Sequence, residues 1–254
     1  MENCDSGIDT DKFMVHFNCK LNRLQRGSKM TKKFYMVLDT ETVADARVPY
    51  DIAWVLVDRQ GEVVERFNAL TAEVLDNPTM RYVLERDDFA KRKAGFYLTN
   101  TPAQVMPFDD ICTYTNAVIT TFNAVVVAYN ARFDRNALNN YSQAVLGKDF
   151  ISDAVTVWDL WTMALYTVCA SRNYARYCDE HGKHNERGNR QSTAEAVYGY
   201  MVNNSEFVEE HTALADAEIE AEILFNIFKR KQKLNTDMCG CCASREPWKR
   251  YLKR

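Results

Sequence analysis

The sequence predicts a mixed α/β fold in which five strands form one sheet with helices on both faces. Three strand-like segments come first, over residues 34–39, 52–58 and 62–70. Gly61 lies at the junction of the last two segments, which favours an antiparallel hairpin. A continuous apolar run over residues 124–129 then has the composition of a strand that is buried on both faces. Antiparallel strands followed by strand–helix units indicate a mixed sheet.

The second half of the chain alternates strands and helices. Asn130 is a good N-cap residue and directly follows the buried strand, so a helix is expected to begin after it. Ser192 or Thr193 is expected to cap a later helix, and Ser192 lies three residues before Glu195, which is the spacing of a capping box. Residues 71–101 and 171–190 are polar or charged, and we interpret them as irregular segments. The elements predicted after the hairpin are helix 103–122, strand 124–129, helix 131–145, strand 155–158, helix 159–170, helix 193–201 and helix 214–233.

One domain accounts for most of the chain. A length of 254 residues is enough for a well-filled α/β core, and no linker rich in proline, glycine or serine divides the middle. Residues 1–30 lack clear periodicity and are predicted to form an N-terminal extension. The predicted domain covers residues 31–233, and a cysteine-rich, basic tail covers residues 234–254.

The composition is that of a globular protein outside the membrane. Hydrophobic residues make up 46% and charged residues 26% of the chain, and both values are ordinary. The longest apolar run is far shorter than the ~18 residues that a membrane span needs. The N-terminal segment lacks the basic-then-apolar pattern of a secretory signal. We therefore expect a cytoplasmic protein that does not bind membranes and whose eight cysteines are free thiols.

Two local features leave binding alternatives open. The cysteines of residues 239–242 could supply half of a structural zinc site, with Cys178, His181 and His184 as candidates for the other half. A polar cysteine-rich tail is the alternative. The net charge of −3 argues against a globally basic nucleic-acid binder. The aromatic and basic residues 248–254 nevertheless suit a segment that stacks on bases, or else an ordinary solvated tail.

Four carboxylates are predicted to lie at or beside one edge of the sheet. Asp39 and Glu41 share a face of the first strand at its C-terminal end, which is where open α/β sheets bind their ligands. Asp134 falls in the first turn of the helix after the buried strand and therefore reaches the same edge. Asp216 lies in the first turns of the last helix, and Ile219, three residues on, turns its face toward the core.

Each of these features also has an ordinary explanation. Acids can end a strand before a turn or interact with a helix dipole, and a histidine near a helix N-terminus can be a surface residue. Together, however, four carboxylates form an oxygen-rich group that selects Mg²⁺ or Mn²⁺. His211, five residues before Asp216, is then placed to act as a general base. The combination predicts a metal-dependent phosphodiesterase in which two ions ~3.5–4 Å apart activate the attacking water and stabilise the leaving oxygen.

Three segments resemble the motifs of the DEDDh exonucleases, the superfamily of epsilon-type proofreading exonucleases, RNase T and oligoribonuclease. They are residues 39–42 (Asp-x-Glu-Thr), 130–134 (Asn-x-x-x-Asp) and 211–216 (His-x-x-x-x-Asp). The resemblance covers about residues 34–230, so the predicted domain would be an exonuclease domain. It implies a ribonuclease H-like fold, two Mg²⁺ or Mn²⁺ ions held by the four acids, His211 as the base, and 3′-to-5′ removal of nucleoside monophosphates.

The chain departs from the family pattern at two places. Tyr129 stands where family members often have histidine, and Val43-Ala44 stands where a glycine is common. These departures bear on the choice of substrate more than on the chemistry. The compact, free-standing form is similar to that of phage-encoded exonucleases, which would place the protein in a host cytoplasm. The residues expected to contact substrate are Thr40, Thr42, Asn130 and Phe133.

The leading hypothesis is a 3′-to-5′ exonuclease that acts on the 3′ end of single-stranded nucleic acid, with DNA slightly favoured over RNA. A phosphodiesterase of short or cyclic oligonucleotides is one alternative. A non-catalytic module that binds nucleic acid or a protein partner is another, although the presence of all four acids and the histidine argues against it. The oligomeric state stays open, with a homodimer among the alternatives because some relatives are dimers.

Overall fold

The computed structural model describes residues 32–43, 47–86 and 103–230. The predicted N-terminal extension and C-terminal tail, with the cysteines of residues 239–242, lie outside this part of the chain. The strands are β1 (Phe34–Val43), β2 (Val48–Asp58), β3 (Val63–Thr71), β4 (Gln104–Met106), β5 (Val125–Ala128) and β6 (Val157–Asp159). They form one mixed sheet in the order β4-β3-β2-β1-β5-β6.

Strand β1 lies at the centre of the sheet because both of its faces are apolar. Tyr35 and Val37 face one side, Met36 and Leu38 face the other, and all four are buried. β1 pairs antiparallel with β2 and parallel with β5. The parallel pairing brings the C-terminal ends of β1 and β5 to the same edge of the sheet. Residues at these two strand ends therefore lie close together.

Helices cover both faces of the sheet, as predicted. The helices are α1 (Ala72–Leu75), α2 (Pro78–Arg86), α3 (Phe108–Phe122), α4 (Ala131–Leu146), α5 (Leu160–Ala164), α6 (Arg172–His181), α7 (Ala194–Met201) and α8 (Ala213–Arg230), with a π-helical turn (Leu165–Cys169) after α5. Helices α5 to α8 pack with Tyr35 and Val37 on one face. Helices α3 and α4 pack with Met36 and Leu38 on the other. Among the described helices, none has both the length and the apolar composition needed to cross a bilayer.

Two elements differ from the sequence prediction. Within the described residues the sheet has six strands rather than the predicted five, because Gln104–Met106, predicted as the start of a helix, pairs in parallel with β3. Three residues are too few for a periodic pattern to be recognised. Helix α6 lies in a charged segment that was predicted to be irregular. Its buried residues, Tyr174, Tyr177 and Cys178, follow helical spacing, and the Ser171 hydroxyl caps it by accepting a hydrogen bond from the Tyr174 N–H.

Two further helices were not predicted, and the structure also defines the N-caps of two predicted helices. Helices α1 and α2 occupy part of the first segment predicted to be irregular, and Pro78 takes the first position of α2, which proline favours. Of the two N-cap candidates for α7, Thr193 rather than Ser192 is the cap, and its hydroxyl accepts a hydrogen bond from the Ala196 N–H. Asn130 does occupy the N-cap position of α4, but its side chain makes no capping hydrogen bond.

Candidate active site

Three carboxylates meet where β1 ends. Asp39 and Glu41 lie two residues apart on β1, and Asp216 lies in the first turn of α8. One carboxylate oxygen from each residue lies within 4.8 Å of those of the other two. A break in the β1–β2 register falls between Glu41 and Thr42, so regular pairing is interrupted at this group. The structure thus brings together three of the four predicted metal ligands.

The start of α8 is anchored directly to the sheet. The backbone N–H of Ala213 donates a hydrogen bond of 2.9 Å to Oδ2 of Asp51 on β2. Asp51 is fully buried, and its other oxygen accepts from the side-chain amide of Asn68 on β3 at 2.6 Å. Asp216 follows Ala213 by three residues, so this contact places its carboxylate beside β1.

Asp134, the fourth predicted ligand, approaches from the other side of β1. It lies in the first turn of α4 and is buried. Its Oδ1 accepts a hydrogen bond of 2.9 Å from the Thr40 hydroxyl. Because Thr40 lies between Asp39 and Glu41 in the strand, this bond ties α4 to the acidic end of β1. Asp134 is outside the group of three carboxylates, but its charge acts on Asp39.

The carboxyl groups at this edge share one poorly solvated environment. Burial raises the pKa of Asp39 well above its usual range, and the charges of Asp134 and Glu220 raise it further. Burial also raises the pKa of Asp134 to about 7, although the hydrogen bond from Thr40 opposes the rise. Neighbouring carboxylates repel unless a cation lies between them, and Mg²⁺ and Mn²⁺ prefer oxygen ligands. The residues therefore fit hard divalent cations.

His211 lies beside Asp216, just before α8 begins. Its backbone is in the left-handed region, with φ of 55°, and its side chain is 38% exposed. Ligand atoms of Glu209, His211 and Asp216 lie within 4.8 Å of one another. The Nδ1 atom of His211 is 3.9 Å from Oε2 of Glu209. The imidazole is thus accessible to solvent and adjacent to the carboxylate group, as a general base requires.

Two further acids at the site were not predicted from the sequence. Glu209 is largely buried; burial, and then the charge of Asp216, raises its pKa to about 8. Its Oε1 has no hydrogen-bond partner within the described residues. Glu220 is also buried, and burial followed by the charge of Asp134 raises its pKa well above the usual range. Its spacing of four residues from Asp216 was a usable signal, whereas Glu209 lies in a segment without periodicity.

The four predicted substrate contacts differ in accessibility. Thr40 is buried and directed at Asp134, and Thr42 is half-buried. Asn130 is exposed. Phe133 is half-buried, and the Arg47 guanidinium lies over its ring, 5.7 Å from the centroid. Phe133 and Asn130 therefore retain accessible surface next to Asp134, while Thr40 has a structural contact that the sequence did not reveal.

The residues proposed as half of a zinc site lie at one end of α6. Cys178 is buried in the core, and its free thiol packs among apolar side chains. His181 is exposed and packs against the ring of Tyr177, with centroids 4.8 Å apart. His184 Nε2 lies 3.2 Å from Asp179. Within the described part of the chain, the groups suited to a metal ion contain none of these residues.

The stability of the metal-free protein is expected to fall as pH rises. Unfolded aspartate and glutamate lose their protons near about pH 4, whereas folded Asp134 and Glu209 retain theirs to about 7 and about 8. Between these values the unfolded chain binds fewer protons than the folded protein, so the free energy of unfolding decreases with pH and then levels off. Thermal melting in EDTA at about pH 5.5 and about pH 8 measures this effect.

Added Mn²⁺ should restore stability at the higher pH, because we expect it to bind only the folded site. Asp134→Asn removes one of the two groups with a raised pKa and should therefore show a weaker pH dependence than the wild type. A melting temperature in EDTA that rises over this range would contradict the raised pKa values.

Comparison with known proteins shows a similarity in fold to solved structures. No family model and no curated protein matches the chain. It is similar to E. coli exonuclease I in complex with a 5cy-dT13 oligonucleotide, with 17% identity and a TM-score of 0.54 over 79% of this chain and 41% of that chain. The zinc ion bound form of the E. coli exonuclease I–ssDNA complex gives 15% identity and a TM-score of 0.55 over 80% and 42% of the two chains.

The chain therefore spans about two fifths of the length of exonuclease I. The six-stranded mixed sheet with helices on both faces is similar to the ribonuclease H-like fold of exonuclease I, which confirms the predicted fold class. At these identities the likeness establishes the fold alone.

Proposed function

We propose that the protein is a metal-dependent 3′-to-5′ exonuclease that acts on single-stranded nucleic acid, with DNA slightly favoured over RNA. The observation that carries the proposal is the meeting of Asp39, Glu41 and Asp216 oxygens within 4.8 Å. Asp134 on α4 and His211, just before α8, lie next to this group. The similarity in fold to exonuclease I, whose structures include complexes with single-stranded oligonucleotides, supports the same function.

In this proposal the acids hold the metal and His211 moves the proton. Asp39, Glu41, Asp134 and Asp216 would hold two Mg²⁺ or Mn²⁺ ions. When bound, such ions acidify the attacking water and stabilise the leaving 3′ oxygen. With the cations in place Glu209 would be ionised, and its Oε2, 3.9 Å from Nδ1 of His211, would favour the tautomer with the proton on that nitrogen. Nε2 is then left to accept the proton of the water that attacks the terminal phosphodiester, releasing a nucleoside 5′-monophosphate.

A matched panel of labelled substrates tests this function. Single-stranded DNA, double-stranded DNA, single-stranded RNA and dinucleotides, each with a 3′ label, are incubated with Mg²⁺, Mn²⁺ or EDTA. We expect labelled mononucleotide from single strands with either metal and none in EDTA. The same strands with a 5′ label should shorten stepwise, which establishes the direction of degradation.

Three outcomes would contradict the proposal, each in a different way. Turnover that falls steeply as the oligonucleotide lengthens would indicate an enzyme for short substrates. Binding of DNA or RNA without turnover in either metal would indicate a non-catalytic module. Internal fragments from the start of the reaction would indicate an endonuclease.

A further inference from the structure

Buried carboxylates hold two consecutive backbone amides at the end of β5. The N–H of Tyr129 donates a hydrogen bond of 3.1 Å to Oε2 of Glu220 on α8. The N–H of the next residue, Asn130, donates one of 3.3 Å to Oδ1 of Asp159 at the end of β6. Glu220 is 3% exposed and Asp159 is 7% exposed. Two elements therefore hold the turn between β5 and α4 from the protein interior.

This turn determines where α4 begins. Asn130 has a left-handed backbone, with φ of 66°, so the chain changes direction sharply between the strand and the helix. The N–H groups at the start of a helix have no partner within the helix, and a buried N–H without any partner is costly. Asp134 lies in the first turn of α4. A shift of the turn would therefore move its carboxylate relative to Asp39.

Asp159 and Glu220 differ in their other structural roles. Asp159 also accepts from the N–H groups of Trp161 and Thr162 and thereby caps α5. Glu220 lies on the helix that carries Asp216, one turn further on and on the same face. Neither group of ligand atoms suited to a metal ion within the described residues contains Glu220. Its contact with Tyr129 is thus a link between two ligand-bearing elements rather than part of the ligand set.

We propose that Glu220 is a positioning residue that sets the distance between Asp216 and Asp134 by holding the Tyr129 amide. One hydrogen bond connects α8 to the start of α4, so the two ligands keep a fixed separation while the substrate and the metal exchange. The inference rests on the proposed function, because it concerns the same carboxylates. It assigns a role to an acid that the catalytic scheme itself does not use.

Substitutions at Glu220 separate positioning from metal ligation. Glu220→Met keeps the approximate length of the side chain but removes the acceptor, and it should lower kcat or Mn²⁺ affinity about 10–100-fold, as for other groups that orient ligands. The KM for the oligonucleotide should stay near the wild-type value, and the Tyr129 amide should lose its protection from hydrogen exchange. Glu220→Gln retains an acceptor oxygen and should stay close to the wild type in all of these measurements.

Glu222→Met is the matched control, because Glu222 lies two residues further along α8, is exposed and bonds to the Tyr198 hydroxyl. It should change neither kcat nor Mn²⁺ affinity. If Glu220→Met does not fold, Glu220→Asp serves instead, since it keeps the acid but shortens its reach by one methylene. The same losses are expected for this variant.

Two results would overturn the positioning role. The first is a Glu220→Met protein, or its aspartate replacement, with wild-type Mn²⁺ affinity and Tyr129 protection. The second is a Glu220→Gln protein as impaired as Glu220→Met, which would indicate that the charge itself is needed. If the wild-type protein shows no nuclease activity, the proposed function fails, whereas Mn²⁺ affinity by calorimetry and Tyr129 exchange by NMR still test the positioning role.

Discussion

The Asp39→Asn protein is expected to lose nearly all metal-dependent release of mononucleotides. Asparagine has nearly the same shape as aspartate but lacks the charge that holds a divalent cation. Metal ions stabilise transition states by several kcal/mol, and each ~1.4 kcal/mol is a factor of ten in rate, so turnover should fall about 10³-fold or more. Single-turnover assays at saturating Mn²⁺ measure the loss.

The same substitution should not destabilise the metal-free protein. The Asp39 carboxyl is repelled by its acidic neighbours, and burial and their charges raise its pKa, so removing it relieves an unfavourable interaction. The melting temperature in EDTA should therefore equal or exceed that of the wild type. Retention of full activity by the Asp39→Asn protein would disprove the assignment of the metal site. If that protein does not fold, Asp216→Asn becomes the decisive variant.

Glu218→Gln is the control for removing a charge near the site. Glu218 is exposed, lies two residues beyond Asp216 on α8 and pairs with Arg66 at 2.6 Å. Its substitution should leave activity unchanged. Because Asp39 and Asp216 are proposed to hold the same ions, the double variant Asp39→Asn/Asp216→Asn should be little worse than either single variant.

The His211→Gln protein is expected to lose about 10²–10⁴-fold in kcat while it still binds Mn²⁺. Glutamine removes the proposed acceptor of the proton from water, but the carboxylates at the end of β1 remain in place. The pH–rate profile should also lose the acidic limb that reports deprotonation of the histidine. Measurements of kcat against pH, together with Mn²⁺ titration by calorimetry, test both statements.

His181→Gln is the matched control, because His181 is exposed on α6 and contacts the ring of Tyr177. It should retain wild-type kcat and the wild-type pH profile. A His211→Gln protein with unchanged kcat would exclude this histidine as the base. Loss of Mn²⁺ binding in that protein would instead identify His211 as a ligand in the group that it forms with Glu209 and Asp216.

Much of the site could be predicted because its signals are local. Asp39 and Glu41 share a face because side chains alternate along a strand. Asp134 could be placed at the same edge because it follows a buried strand, and the structure shows that strand in parallel pairing with β1. Asp216 could be predicted to approach the other acids because it occupies an inward-facing position on a helix. These placements need only short periodic patterns and the pairing rules of sheets.

Contacts made by single residues from distant segments could not be predicted. Glu220 lies between two exposed glutamates, Glu218 and Glu222, and only the packing of α8 against the sheet buries it. Glu209 comes from a segment without regular structure. The Thr40 hydroxyl was expected to contact substrate, whereas its partner in the structure is Asp134.

Local sequence patterns specify the order and type of most elements and the acidic end of β1, because apolar periodicity and turn residues act over a few neighbouring positions. That Glu209 and Glu220 join the predicted acids depends instead on the tertiary structure. The hydrogen bonds from Ala213 to Asp51 and from Tyr129 to Glu220 join segments far apart in the chain. Such contacts depend on how whole helices pack on the sheet, and no local pattern of residues specifies that packing.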